Sequence, residues 1–471
     1  LTPSYDVIVM GGGTAGLPAA YFAAERGAKV LLIEAAEKLG GTLWYSSAQM
    51  SAAGTRLQKS RGIEDHPDKH YADAWKIGRG KQDPALLRLH VDTAAESFDW
   101  LMDVGYRPAP GMPMLMPGHE LYDVPRTVWA TTWGVELRET LTRIVQKPID
   151  RGAITLMLGT RVVALLPGKN GAIDGVEIET ADGARRTVTG KNIVLAAGGY
   201  SGSEAAFKRF HPNAHLYSGG WHHNTGLGIL LGLEAGGVLR GAEDFMPNFG
   251  GLWDGEQHPP RWLINPGAVA GFRPIIEIYV NAKGERFIAE DGQSPDAKER
   301  ALMGQPGWKF WAVFDDECWR RAENLFRVWD EARVERAFAS NHNFHIAPTA
   351  RALAHAAGFD ADGFERALGA YNAQVDDGVD PLGRKLIGPK LTQGPWRAIA
   401  NCGITIWTFA GLRANTKLQV TRADDSAIPN LYAIGDVLGG STMSGNGFCG
   451  GMGVTPAVNF GRLVGQKLLT W

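Results

Sequence analysis

The opening of the chain constrains its fold most. Tyr5-Asp6-Val7-Ile8-Val9-Met10 is followed by Gly11-Gly12-Gly13-Thr14-Ala15-Gly16, and Glu34 closes Lys29-Val30-Leu31-Leu32-Ile33. The order is apolar strand, glycine turn, helix, strand, acid, which predicts a parallel βαβ unit. Gly11 permits the tight turn, Gly13 lets backbone approach a pyrophosphate, and Gly16 lets the helix pack closely on the strand. Thr14 and Ala15 open the helix, whose free N–H groups and positive dipole end favour phosphate. Glu34, with Ala35 beside it, stands eighteen residues after Gly16 and is placed to accept from a ribose diol. A bound dinucleotide is the expectation.

Composition narrows what this unit serves. A length of 471 residues predicts two to three domains. Lys plus Arg total 48 and Asp plus Glu 50, a balance that argues against a nucleic-acid or anionic-membrane partner. No apolar run is long enough to span a bilayer, so no transmembrane segment is expected. The chain opens almost directly into its first strand without a visible signal peptide, and the cytoplasm is the expected compartment. Cys318, Cys402 and Cys449 show no CxxC, haem or iron–sulfur spacing, so redox chemistry would have to come from a bound cofactor. His222-His223 lacks further ligands at suitable spacing, so no metal site is expected.

Periodicity predicts helices over 84–104, 135–147 and 226–235, and strands at 154–158, 161–166, 175–180, 186–189 and 192–199. After residue 250 the strand–helix alternation fades, and eight of the 15 Trp residues fall between Trp253 and Trp407. A hairpin is expected around Lys283-Gly284, with strands at 277–281 and 286–288, and helices near 315–338 and 360–376. Asp315-Asp316-Glu317 reads as a helix cap. Near residue 401 glycine-rich α/β character returns. Residues 430–436 form a strand ending in Gly435-Asp436, and a glycine loop, 445–453, leads into a helix beginning at Gly453-Val454 and running to Leu469. The fold class expected is α/β: a discontinuous Rossmann-like domain, residues 1–250 and 401–471, with an α+β capping domain inserted at 251–400.

These stretches together resemble the flavoprotein family of soluble fumarate reductases, succinate dehydrogenase flavoprotein subunits and 3-ketosteroid dehydrogenases. The likeness rests on the opening glycine turn, Met50-Ser51-Ala52-Ala53-Gly54-Thr55, Gly62-Ile63-Glu64-Asp65 and Asn281-Ala282-Lys283-Gly284-Glu285-Arg286-Phe287. Ala410-Gly411-Leu412-Arg413 and Leu431-Tyr432-Ala433-Ile434-Gly435-Asp436 complete it. The resemblance implies FAD. It implies backbone contacts from Gly41, Thr42 and Ala52, an adenine-side contact at Val163, a pyrophosphate wall at Ala197 and Gly198, and a ribityl contact at Asp436. Covalent members of the family carry a histidine where this chain has Thr42, so non-covalent FAD is expected.

The resemblance also shows where this chain departs. Fumarate reductases clamp a dicarboxylate with a histidine where this chain reads Trp407-Thr408-Phe409-Ala410, and with an arginine in the final glycine loop, here Asn446-Gly447-Phe448-Cys449. Their proton-donating arginine falls where this chain has Asp291-Gly292-Gln293-Ser294. A buried carboxylate needs a charged and preferably bidentate partner. The expected substrate is therefore an apolar small molecule, cyclic or steroid-like, oxidised or reduced at the carbon β to a carbonyl. Electrons would pass to or from an external acceptor or donor. The ketone-active branch implies tyrosine and glycine-loop catalysis, and Tyr122, Tyr279, Gly450 and Gly451 are the candidates. Two alternatives stand beside this reading. One is a di- or tricarboxylic acid dehydrogenase using Arg126, Arg261 or Arg273, and the other is a non-catalytic dinucleotide-binding module.

Overall fold

The computed structural model describes residues 4–116, 118–255, 273–322, 325–326 and 329–471, and the backbone of 261–264. Its larger sheet has eight strands. Ser4–Met10 lies in the middle, parallel to Val30–Ile33 on one side and to Arg185–Leu195 on the other. Val30–Ile33 pairs in parallel with Ile154–Met157, and Arg185–Leu195 pairs in parallel with Ala427–Ala433. Val7, Ile8 and Val9 are fully buried, as the central strand of a parallel sheet requires. Residues 161–167, 173–179 and the start of Arg185–Leu195 form an antiparallel extension of the same sheet.

The helix Gly16–Glu25 covers this sheet, and Val454–Leu463, near the other end of the chain, packs against both it and Pro84–Asp103. The contact between the first and last of these is close because Gly461 stands against the Ala15 carbonyl, where a Cβ would overlap the oxygen. Pro84–Asp103 begins at Asp83, whose carboxylate accepts from the Ala85 and Leu86 N–H groups.

A second sheet of four antiparallel strands runs in the order 278–280, 309–314, 396–402, 344–347. The strands at 309–314, 344–347 and 396–402 were not expected from the sequence, so alternation of strand and helix continues through this region. Contacts tie the helix Pro295–Met303 to the rest of the protein. Arg79 pairs with Asp296 at 2.7 Å, Arg300 donates to the Asn446 carbonyl, and the Ser294 hydroxyl donates to Glu120.

Three further expectations change. The helix expected over 315–338 is two, Asp316–Arg321 and Glu331–Ser340, because Asp315 and Asp330 each cap a separate start. The strands expected at 186–189 and 192–199 are one, Arg185–Leu195. The strand expected at 286–288 reduces to a single bridge between Val280 and Arg286. Among the described residues no helix is long and apolar enough to cross a membrane.

Candidate active site

The glycine turn, the small-residue stretch after Gly41 and the final glycine loop enclose a cavity of about 1050 Å³. Gly11, Gly13, Thr14, Ala15, Glu34, Ala35, Gly41, Thr42, Ala197, Gly198, Gly435, Asp436, Gly451, Gly453 and Val454 all line it. These residues come from the turns at the ends of the parallel strands and from the start of Val454–Leu463, where α/β sheets bind ligands.

The turn is shaped for a phosphate. Gly11 holds φ +111°, and a Cβ there would overlap the Ala196 carbonyl oxygen. At Gly13 a Cβ would meet only the Gly41 Cα at 3.8 Å, so the side-chain space at Gly13 opens into the cavity. Glu34 is held rigidly beside it. Its Oε2 accepts from the Gly12 N–H at 2.7 Å and its Oε1 from the Ala36 N–H at 2.8 Å. Each carboxylate oxygen keeps a second lone pair for a ligand. Asn224 donates to the Thr42 hydroxyl at 3.2 Å, and its Oδ1 lies 2.5 Å from where a Gly198 Cβ would stand. The donor set and the open glycine cradle fit a dinucleotide.

Beyond the turn the wall becomes aromatic. The Trp407 Nε1–H donates to Asp436 Oδ1 at 3.0 Å, and burial still pushes the Asp436 carboxyl up to about 6. The Trp407 ring meets Phe448 edge-on at 5.8 Å. The segment 118–122 lies along the final glycine loop. Glu120 forms a backbone bridge with Cys449, the Tyr122 hydroxyl donates to the Gly450 carbonyl at 2.6 Å, and the His119 ring stacks on Phe448 at 4.3 Å.

Six expected residues are not on the cavity wall: Gly16, Ala52, Val163, Gly450, Tyr122 and Tyr279. Gly16 stands behind the turn, against the Gly11 carbonyl. Ala52 is buried beneath the wall. Arg161 and Val162 line the cavity and Val163 does not, at a point where the strand's pairing shifts register between Val162 and Ala164. Gly450 is turned toward Tyr122. The Tyr122 hydroxyl donates to that carbonyl, and burial raises its pKa above the ordinary phenol value. Tyr279 is buried on the edge strand of the four-stranded sheet beside Phe249 and Phe310, where its hydroxyl faces Glu277 and burial raises its pKa well above the usual phenol range.

Among the described residues the only Lys or Arg on the wall is Arg161, which pairs with Glu179. Its neighbour Thr160 bonds the Glu34 carbonyl, so this cation belongs to the Glu34 side of the cavity. Arg126 is buried between Asp65 and Asp73, and Arg273 pairs with Glu277. The side chain of Arg261 lies outside the described residues.

Sequence reasoning missed His119, Asn224, Trp44 and Trp221, all on the wall. Trp44 is held between two cations, Lys38 at 3.5 Å and Arg138 at 3.6 Å from its ring centroid. For Trp44 the available signal was its place directly after Gly40-Gly41-Thr42-Leu43. For His119 there was none, since its partners lie far along the chain.

The chain is 29% identical to an NADH:fumarate oxidoreductase of Klebsiella pneumoniae over 98% of its own length, and spans 47% of that relative's length. It is 26% identical to a vinyl phenol reductase of Lactiplantibacillus plantarum, covering 98% of this chain and 97% of the relative. The structure of a 3-ketosteroid Δ1-dehydrogenase from Sterolibacterium denitrificans superposes with a TM-score of 0.81 at 18% identity, over 99% of this chain and 100% of that one, which shows a shared fold. A family model described as FAD binding domain matches residues 6–454. The chain belongs to the FAD binding domain family and is homologous to flavin oxidoreductases of the fumarate reductase type.

Proposed function

We propose that the chain is an FAD-dependent oxidoreductase acting on a carbon–carbon bond conjugated to a carbonyl, in an apolar and cyclic substrate. One observation carries this reading: among the described residues, the wall around Trp407 and Phe448 holds no Lys or Arg. A dicarboxylate entering it would lose its hydration without gaining a charged partner, which costs several kcal/mol per charge, on the order of a thousandfold in affinity or more. The vinyl phenol reductase, matched over nearly its full length, acts by its name on an alkene conjugated to a phenol ring, which supports a ring-bearing substrate without carboxylates but not the carbonyl.

FAD, when bound, supplies reversible hydride transfer. The residues that would hold it are Gly11 and Gly13 at the phosphates, Glu34 at the adenosine ribose, and Asp436 with the N-terminus of Val454–Leu463 at the far end. Thr42, whose hydroxyl accepts from Asn224, supports attachment without a covalent bond. The chain's own residues exclude water with Trp407, Phe448 and Ile406 and orient the substrate in that wall. Electrons enter or leave through an external partner.

The test is anaerobic mixing of the reduced enzyme with 2-cyclohexenone, 4-androstene-3,17-dione, 4-vinylphenol and fumarate. Flavin reoxidation is expected with 2-cyclohexenone or 4-androstene-3,17-dione and not with fumarate, and reoxidation by 4-vinylphenol alone would remove the carbonyl from the substrate class. Reoxidation by fumarate alone would establish the dicarboxylate reading, and no reoxidation by any reductant–acceptor pair would favour a non-catalytic module.

A second expectation concerns the cofactor. In Glu34→Gln an amide NH₂ faces either the Gly12 or the Ala36 N–H, so one of the two bonds is lost along with the charge. FAD affinity should fall by about 1–2 kcal/mol, measured by fluorescence titration of the apoprotein. Unchanged affinity would remove Glu34 from the cofactor site.

A further inference from the structure

We propose that the His119 imidazole is the hydrogen-bond donor that holds the substrate's carbonyl oxygen, an assignment that rests on the functional reading above. The residue has no counterpart in the sequence motifs, and its placement comes from the fold. The Glu120–Cys449 bridge and the Tyr122–Gly450 hydrogen bond fix the segment 118–122 along the final glycine loop. That register lays the His119 ring on Phe448, with centroids 4.3 Å apart and planes 11° from parallel. Phe448 belongs to the final glycine loop, which by the resemblance would carry a carboxylate-clamping arginine and here has none, so the wall that lacks the cation presents an imidazole.

Two facts point from this ring to a ligand. It lines the cavity while only 8% exposed, and its Nδ1 is buried with no hydrogen-bond partner. A sealed, unpartnered Nδ1 costs least as the bare nitrogen of a neutral ring, which puts the N–H on Nε2, the ring nitrogen that is not sealed from the cavity. Two side-chain donors near it are already engaged. The Trp407 N–H is on Asp436 and the Tyr122 hydroxyl on the Gly450 carbonyl. Burial also pushes the His119 pKa down to about 4, so the ring is neutral near pH 7. A neutral imidazole carries one N–H and one acceptor nitrogen. It can polarise a carbonyl but cannot neutralise a carboxylate, which matches the substrate class.

The experiment titrates oxidised holoenzyme with 2-cyclohexenone and with cyclohexene, the same ring without the oxygen, following the visible spectrum of the flavin. His119→Phe keeps a ring to stack on Phe448 and removes the hydrogen bond. His119→Gln keeps a donor and removes the stack. The enone Kd should rise about tenfold in His119→Phe and return to within about threefold of wild type in His119→Gln. Cyclohexene affinity and FAD content should not change. Enone affinity in His119→Phe equal to wild type would overturn the assignment alone, as would an equal loss for both rings, which marks a packing role. Wild-type enzyme that binds fumarate and no enone would overturn the functional reading and this assignment together.

Discussion

Gly16→Val should give a protein that neither retains FAD nor keeps its opening sheet intact. The Gly16 Cα faces the Gly11 carbonyl so closely that a Cβ would overlap its oxygen, and the next nearest side-chain atom, Val9 Cγ1, is 3.2 Å away. Neither neighbour can yield. Gly11 closes the turn at φ +111°, with the Ala196 carbonyl against it, and Val9 is fully buried in a strand paired on both sides. The helix Gly16–Glu25 would have to lift from the sheet and carry its N-terminus away from the cavity. Overpacking of this kind costs about 1–3 kcal/mol where the surroundings relax, and more where backbone is the obstacle. The readouts are the ratio of flavin to protein absorbance and the thermal midpoint. A yellow variant of wild-type stability would refute the role given to this contact.

Arg126→Ala should cost about 3–5 kcal/mol of stability, because it leaves two carboxylates without their counter-ion. The guanidinium is fully buried and bidentate on Asp65, at 2.8 and 2.9 Å, with its remaining nitrogen on Asp73. Its Cζ lies 4.8 Å from the centroid of the Tyr122 ring, the ring that holds the Gly450 carbonyl. The loss should therefore reach the final glycine loop. Denaturant unfolding measures the first effect, and hydrogen exchange across residues 446–453 the second. A loss below about 1 kcal/mol would mean that water enters and solvates the two acids.

The parts of the site that were legible in the sequence are those encoded locally. Gly11, Gly13 and Gly16 lie within one turn, and Glu34 ends the next strand, so spacing alone carries their geometry. The tyrosines were not legible because their partners are distant or hidden. Tyr122 bonds a residue 328 positions away, and nothing near it in the chain indicates that its hydroxyl is engaged. Tyr279 belongs to a strand whose three residues are all buried, so no alternation marks an inward face. The same cause hid Lys309–Phe314, where five of six residues are buried. Val163 lies beside the wall residue Val162, at a break in strand pairing that the sequence pattern does not mark.

The cavity takes its first wall from residues 11–15 and its last from 451–457, and the helix carrying Gly461 closes against Ala15. These pieces stand about 440 residues apart in the chain. At ordinary elongation rates of ~5–20 residues per second, the opening unit waits roughly 20–90 s for the residues that complete its pocket. The pocket therefore cannot close until residues 451–457 have left the ribosome, and a message broken before the codon for Gly450 should yield a colourless product.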